Sequence, residues 1–260
     1  MIRNRQERSR ERGTLTRRKF GFSILRAAGG GLVAHRLARA TDPDFTLAII
    51  PDTQYLAYLC SGAFSNMMTW IVNNRAMDQG GVFSTNIKAV LGVGDCTHLT
   101  SSGEFTNGAT AYGVLDAAGI PWVNPPGNHD YVDGGANTDH SGIGIGYQNP
   151  SGYFGSTVRQ AAYGSGVSLP GGGSGAWVDA YDNANYAVRY EIGSRNILVF
   201  SIEFLPRVAV INWAKGIHDS HPGHECIITT HSFISDAGNF MHFSAEAEYS
   251  GPRISDQAIS

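Results

Sequence analysis

The sequence predicts an α/β domain in which strands and helices alternate and pack in layers. Two observations predict this fold class. Short apolar runs, several of which end at proline or at glycine followed by aspartate, have the length and the boundaries of buried strands. Segments with apolar residues at helical spacing lie between these runs. Residues 41–260 are enough for one large domain, because a chain of about 220 residues buries roughly 70% of its unfolded surface.

The first half of this domain contains three predicted strands and two predicted helices. Residues 45–50 form an apolar run that ends at proline, which is typical of a buried strand. Residues 64–77 have apolar side chains at helical spacing, and 87–93 form a second apolar strand. A helix is predicted over 105–118 and a third strand over 120–124, which ends at Pro-Pro-Gly.

The second half opens with a stretch that has no regular pattern. We interpret residues 134–176 as a long surface insertion, because its end is rich in glycine and serine. Regular patterns return with two strands, 186–192 and 196–202, joined as a hairpin by Gly193-Ser194. A helix over 208–217 and a last strand over 226–230 complete the predicted elements.

Charge is divided unevenly along the chain. The formal net charge is −3, yet residues 1–40 contain 11 basic and 2 acidic residues, a balance of +9. The remaining 220 residues therefore have a balance of −12. Such an asymmetry predicts an appended tail. It also argues against nucleic-acid binding by the domain, which has few cations to pair with phosphates.

The basic tail has the order of features found in an export signal. Paired Arg17-Arg18 is followed by a weakly apolar stretch, residues 20–33, and by Ala38-Arg39-Ala40 at the spacing of a signal peptidase site. The apolar stretch is too short to span a bilayer. We therefore expect a twin-arginine-type signal peptide over 1–40, recognition by the twin-arginine export machinery, cleavage near Ala40 and a periplasmic or extracellular protein. The alternative is a basic arm that binds nucleic acid or anionic lipid.

Polar side chains follow four of the predicted strands. Asp52 and Gln54 follow the first, Asp95 the second, Asn128 to Asp130 the third, and His231 the last. Ligands of open α/β sheets bind at the carboxyl ends of strands, so these groups are expected to converge. Oxygen and nitrogen donors in this mixture suit Mn, Fe or Zn. A carboxylate between two cations can bridge them at the roughly 3.5–4 Å separation of two-metal hydrolases.

These residues resemble the calcineurin-like metallophosphoesterases. The similarity lies in Asp52-Thr53-Gln54, Gly94-Asp95, Gly127-Asn128-His129-Asp130 and Thr230-His231, which have the order of that family. Some secreted members have a similar Pro-Asp-Thr-Gln first motif. The resemblance spans about residues 45–240 and implies a four-layer αββα sandwich with two metal ions. It implies a phosphoric ester hydrolase whose hydroxide is bound by both ions.

The resemblance also implies a role for each matching residue. Asp52 and Gln54 would bind the first metal, Asp95 would bridge the two, and Asn128 and His231 would bind the second. His129 would be the catalytic residue that stabilises or protonates the leaving oxygen of a phosphate ester substrate. No further cofactor is implied.

Three positions depart from the family pattern. Gln54 stands where the family usually has histidine. His98 stands where a carboxylate often orients the catalytic histidine, so another group must orient His129. The closing Gly-His-x-His motif does not occur, and the resemblance implies a sandwich that is incomplete at its C-terminal end.

Two other functions stay open on the sequence. One is a catalytically impaired fragment or relic of the same fold that binds metal weakly without turnover. The other is a metal-binding protein built on His218, His221 and His224, although Pro222-Gly223 favours a solvated loop there. Asp52 and Asp95 taken singly could be helix caps. Glu203 could line the cleft or lie on an edge strand.

Overall fold

The computed structural model describes residues 44–76, 86–132, 142–148 and 150–231. The predicted signal peptide, residues 1–40, lies outside the described residues and stays a prediction. The described part of the chain is a mixed α/β structure with two sheets and five helices.

The first sheet is parallel and contains the three strands of the first half. Strands β1 (Thr46–Ile50), β2 (Ile87–Gly92) and β3 (Trp122–Val123) lie in that order. All six residues of β2 are buried, as expected for the central strand. The third strand is shorter than the predicted 120–124.

Three helices follow the strands of this sheet: α1 (Gln54–Leu59), α2 (Ser61–Asn74) and α3 (Ser102–Ala117). Helix α1 was not predicted, because six residues are too few for a clear periodic pattern. Helices α2 and α3 each begin three residues before the predicted start. In α3 the reason is a capping box, in which Ser101 and Glu104 bond each other's backbone amides.

The prediction of an irregular insertion over 134–176 is wrong for much of its described part. Helix α4 (Ser156–Tyr163), strand β4 (Val167–Ser168) and the first residues of strand β5 (Ser174–Ala180) lie there. The glycines make the turn between β4 and β5, where Gly171, Gly172 and Gly173 all have positive φ. Pairing with the next strand makes β5 a strand despite its weak sequence pattern, with a register shift between Trp177 and Asp179.

The second sheet contains five strands in chain order. Its remaining members are β6 (Tyr186–Ile192), β7 (Arg195–Ser201) and β8 (Glu225–Thr229). The predicted hairpin is confirmed, with β6 and β7 antiparallel and Gly193 at a φ of 62° in the turn. Helix α5 (Val208–Asp219) connects β7 to β8, and these two strands are parallel.

Three apolar clusters show how these elements pack. One lies between the first sheet and helices α1 to α3 and contains Phe64, Val90 and Leu115. The second joins the two sheets, with Leu91 on one side and Val199 on the other. In the third, the opposite face of the second sheet packs against α5. Alternating strand residues face opposite clusters, so each sheet is covered on both faces.

Within the described residues, no helix combines the length and the apolarity that crossing a membrane requires.

Candidate metal centre

Three of the predicted ligands converge at the carboxyl ends of strands. Asp52 follows β1, Asp95 follows β2, and His231 follows β8 of the second sheet. One ligand atom from each lies within 4.8 Å of the others. Among the described residues this is the one group of three or more His, Cys, Asp or Glu side chains with such geometry. The spacing and the donor types suit one bound metal ion at least.

Asp95 is at the middle of this group. Its side chain is buried, and its Oδ2 lies 3.2 Å from His231 Nε2. Its Oδ1 accepts a hydrogen bond of 2.9 Å from the backbone N–H of His129. Asp95 has a φ of 49°, a left-handed conformation that is uncommon outside glycine. Such conformations cluster at functional sites, where the surrounding structure holds them in place.

His231 is oriented for ligation through Nε2. Its Nδ1 lies 3.0 Å from the carbonyl oxygen of Val93, so Nδ1 carries the proton and donates it. A backbone carbonyl that fixes the tautomer in this way is the usual support of a metal-binding histidine. Burial lowers the pKa of His231, but the hydrogen bond and the charge of Asp95 raise it more, and the net shift is upward.

Gln54 lies against both carboxylates through its amide nitrogen. Its Nε2 donates to Asp52 Oδ2 at 2.8 Å and to Asp95 Oδ2 at 3.4 Å, while its backbone N–H donates to Asp52 Oδ1 at 2.9 Å. The amide oxygen Oε1 is 2.8 Å from Nδ1 of His98. To bind a metal between the carboxylates, Gln54 would have to turn its amide so that Oε1 faces them. His98 would then lose Oε1 as its hydrogen-bond partner.

The third motif approaches Asp95 from the other side. Residues Asn128–Asp130 form a single 3₁₀ turn after β3. Asn128 is half-buried at its start, and the next residue donates the amide bond to Asp95. His129 Nδ1 lies 2.8 Å from the backbone carbonyl oxygen of His98. This carbonyl orients His129, and Nε2 is the ring nitrogen that this hydrogen bond does not use.

Asp130 has a structural role that the sequence analysis did not assign. It is fully buried, and its two oxygens accept from the backbone N–H groups of Gly127, Cys96 and Thr97 and from the hydroxyl of Thr97. Burial and the nearby charge of Asp95 raise its pKa to about 7. Asp130 thereby ties the loop after β2 to the loop after β3.

Glu104 was also missed, although the capping box Ser-x-x-Glu could have identified it. Its carboxylate accepts from the backbone N–H of His98 at 2.8 Å and of Leu99 at 3.1 Å, as well as from Ser101. Burial raises the pKa of Glu104, but these hydrogen bonds lower it more, and the net shift is downward. Glu104 thus fixes the backbone of His98, whose carbonyl orients His129.

Two other sets of polar residues do not join the centre. His218, His221 and His224 form no convergent group, and Nδ1 of His221 bonds to the carbonyl oxygen of Ile217. Glu203 is fully buried and forms an ion pair of 2.8 Å with Arg207. Its carboxylate is therefore a structural partner of Arg207 inside the protein.

Searches for similar proteins gave no match to a family model, to a curated protein or to a solved structure. The geometry of the site defines an α/β domain with a candidate metal centre of two aspartates and a histidine at the ends of parallel strands.

Proposed function

We propose that the chain is a metal-dependent phosphoric ester hydrolase with two metal ions in its site. The observation that carries this proposal is the convergence of Asp52, Asp95 and His231 where strands of two sheets end. Asp95, which contacts both Gln54 and His231, would be the carboxylate shared by the two ions. Mn, Fe and Zn are the candidate ions, since the donors are oxygen and imidazole nitrogen.

The packing of the elements supports the same proposal. Helices cover the outer face of the first sheet, the two sheets share an apolar cluster, and α5 covers the outer face of the second. This order of layers agrees with the αββα sandwich expected from the metallophosphoesterase resemblance. Such a sandwich brings the polar ends of strands from both sheets to one edge, which is where Thr229 of β8 bonds the backbone of Gly92 in β2.

Three residues of the site are held before any ligand arrives. Backbone groups fix Asp95 and both histidines, His129 and His231, so little reorganisation is needed when a metal or substrate binds. Two bound cations would supply an acidified water as nucleophile and would neutralise charge on the phosphoryl oxygens.

His129 is placed to handle the proton of the leaving group. Its Nδ1–H donates to the carbonyl of His98, so only Nε2 is available to hold a proton for the leaving oxygen. A fixed imidazole that donates a proton in the transition state contributes about 10²- to 10⁴-fold to a rate. Asp95 also bonds the backbone of His129, which links the acid and the metal ligands in one rigid unit.

The test is metal content and hydrolysis in wild type and Asp95→Asn. Wild type is expected to bind about two transition-metal ions and to hydrolyse aryl phosphate, whereas Asp95→Asn loses metal and activity. Asparagine retains an oxygen for the His129 amide, so circular dichroism should show an intact fold. Asp219→Asn is the matched control, because Asp219 is an exposed partner of Lys215 on α5.

Two outcomes would contradict the proposal. If the wild-type protein is folded but binds no metal, the metal-dependent mechanism is contradicted. Metal binding without turnover of any phosphate monoester or diester contradicts the hydrolase and favours the metal-binding relic.

A further inference from the structure

A group of aromatic rings lies beside the candidate metal centre. We call Tyr55, Tyr58, His98 and His129 the aromatic platform. The ring of His98 is stacked on that of His129, with centroids 5.2 Å apart and planes 19° from parallel. Tyr55 and Tyr58 also contact the His98 ring, with centroids 4.8 and 5.3 Å from that of His98. The tyrosines are 59% and 46% exposed, so their rings are accessible to a ligand.

The platform is continuous with the metal centre. Gln54 connects the two, because its Oε1 is 2.8 Å from the His98 ring and its Nε2 is 2.8 Å from Asp52. Helix α1 begins at Gln54 and contains both tyrosines. The backbone N–H of His129 also bonds Asp95 Oδ1, so both ends of the His98–His129 stack are next to residues of the centre. A phosphate ester bound at the centre would therefore have the platform beside it.

The charges around the site favour a neutral group on the platform. Every Lys and Arg side chain among the described residues already has a hydrogen-bond or ion-pair partner within the protein. These pairs are Arg75 with Val72, Lys88 with Pro170, Arg159 with Asp116, Arg189 with Glu191, Arg195 with Glu225, Arg207 with Glu203 and Lys215 with Asp219.

Arg75 and Lys88, which bond carbonyl oxygens, also lie at the other end of β2 from the site. They are therefore not placed to bind a further phosphate group of a substrate, beyond the one held at the metal ions. Lys88 is the second residue of β2, and the carbonyl oxygen of Arg75 accepts from the N–H of Ile87 at the start of that strand. Asp95 instead follows the end of the strand. Within the described residues, no cation is left over to meet a further phosphate near the platform. Rings, by contrast, stack on tyrosine and histidine without any charge requirement.

We propose that the substrate is a phosphate monoester whose leaving group contains a flat aromatic ring, which stacks on Tyr55 and Tyr58. This inference rests on the proposed hydrolase function and names the substrate class for the same site. An aryl alcohol and a nucleoside share the required chemistry, a planar ring on the leaving side of one phosphate.

The experiment compares three monoesters in wild type and in the double variant Tyr55→Ala/Tyr58→Ala. Phenyl phosphate has a ring directly on the leaving oxygen, a nucleoside 5′-monophosphate has its ring beyond a ribose, and glycerol phosphate has none. The variant-to-wild-type ratio of kcat/KM is taken for each ester, so the intrinsic reactivity of the leaving group cancels. We expect a loss of about 3- to 10-fold for one or both ring esters, and no change for glycerol phosphate. The ester that shows the loss identifies the source of the ring.

Two controls separate stacking from structure. Tyr55→Phe/Tyr58→Phe keeps the rings and should retain the wild-type preference, whereas Trp70→Ala removes an exposed aromatic side chain from α2 and should change nothing. Binding gives a readout that needs no turnover. Calorimetry should show phenylphosphonate binding more tightly than methylphosphonate to wild type, by about 3- to 10-fold, and equally to the alanine variant.

Equal losses for all three esters, or no loss for any, would overturn the stacking proposal while the hydrolase proposal stands. Absence of turnover for every ester in metal-loaded wild type would instead overturn the hydrolase proposal. The phosphonate comparison would still report on the rings in that case, and equal affinities in wild type would overturn the stacking proposal too.

Discussion

At the scale of single residues, the candidate metal centre depends on glycines that let three loops approach each other. Gly94 has a φ of 95°, and a Cβ there would lie 2.9 Å from both the backbone nitrogen of Gly127 and the Cβ of His231. At Gly127 a Cβ would lie 2.1 Å from Oδ1 of Asp95. No side chain fits between these loops, so the glycines set the distance between Asp95 and its neighbours.

Replacing Gly127 by alanine should therefore disturb the centre without removing any ligand. The added methyl group must displace Asp95 or the loop after β3, which we expect to cost about 1–3 kcal/mol in the free energy of unfolding. Affinity for metal should fall by about 10- to 100-fold, as when the support of a ligand is lost. Denaturant titration and calorimetry with Mn²⁺ measure the two effects.

Gly216→Ala is the control for this change. Gly216 lies in α5, and a Cβ there would meet nothing within 4 Å. Alanine should leave metal binding unchanged and stabilise the helix by up to about 1 kcal/mol. Wild-type metal affinity in Gly127→Ala would show that the loops can separate freely, contrary to the packing described here.

At the scale of elements, the start of α3 controls a residue of the site. The capping box of Ser101 and Glu104 begins the helix, and the same carboxylate holds the backbone of His98 and Leu99. The carbonyl of His98 then orients His129. A helix cap thereby takes part in positioning the imidazole, which explains how His129 is oriented although no carboxylate stands at position 98.

The capping box predicts a pH dependence of stability. The pKa of Glu104 is lower in the folded protein than its ordinary value of 4.5, so its contribution is present above that value and is lost as the pH falls through the folded pKa. Wild type should exceed Glu104→Gln in stability by about 1 kcal/mol at neutral pH. The difference should shrink as the pH falls below 4.5, as measured by urea unfolding.

Glu191→Gln is the matched control, because Glu191 forms an ion pair with Arg189 on the exposed surface of β6. Exposed ion pairs of this kind contribute little to the free energy of unfolding, so Glu191→Gln should change it little at any pH. A difference between wild type and Glu104→Gln that stays constant from neutral to acid pH would contradict the assigned role of the carboxylate.

At the scale of the whole molecule, the centre joins the two sheets. Asp52 and Asp95 come from the first sheet and His231 from the end of the second. An ion bound by all three would connect β1, β2 and β8 and would bind the folded chain in preference to the unfolded one. Metal binding should therefore stabilise the entire domain.

We expect metal at one hundred times its dissociation constant to raise the free energy of unfolding by about 2.7 kcal/mol. The corresponding rise in Tm is about 5–10 °C for a domain of this size. Thermal unfolding with Mn²⁺ and with a chelator measures the rise, and Asp95→Asn should abolish it. The triple variant His218→Ala/His221→Ala/His224→Ala should retain it, because those histidines form no convergent group. Loss of the rise in the triple variant would assign the metal to that cluster instead.

Much of the fold follows from patterns that the sequence displays locally. The sequences of β1, β2, β6 and β7 are rich in apolar and β-branched or aromatic residues, which favour strands. Helix α4 and strand β5 escaped prediction, since their sequences are rich in small and polar residues and depend on neighbours for their structure. Helix α1 was also not predicted, because a helix of six residues with an exposed face shows little apolar periodicity.

The sequence by itself determined the candidate ligands Asp52, Asp95 and His231, because polar residues directly after apolar runs must lie at strand ends. Only the tertiary structure decided how these groups are held. The carbonyls of Val93 and His98, the amides that surround Asp130 and the rings of Tyr55 and Tyr58 become partners through folding. Backbone groups are the same at every position of a chain, so which of them meets a given histidine depends on how the two sheets and their loops pack.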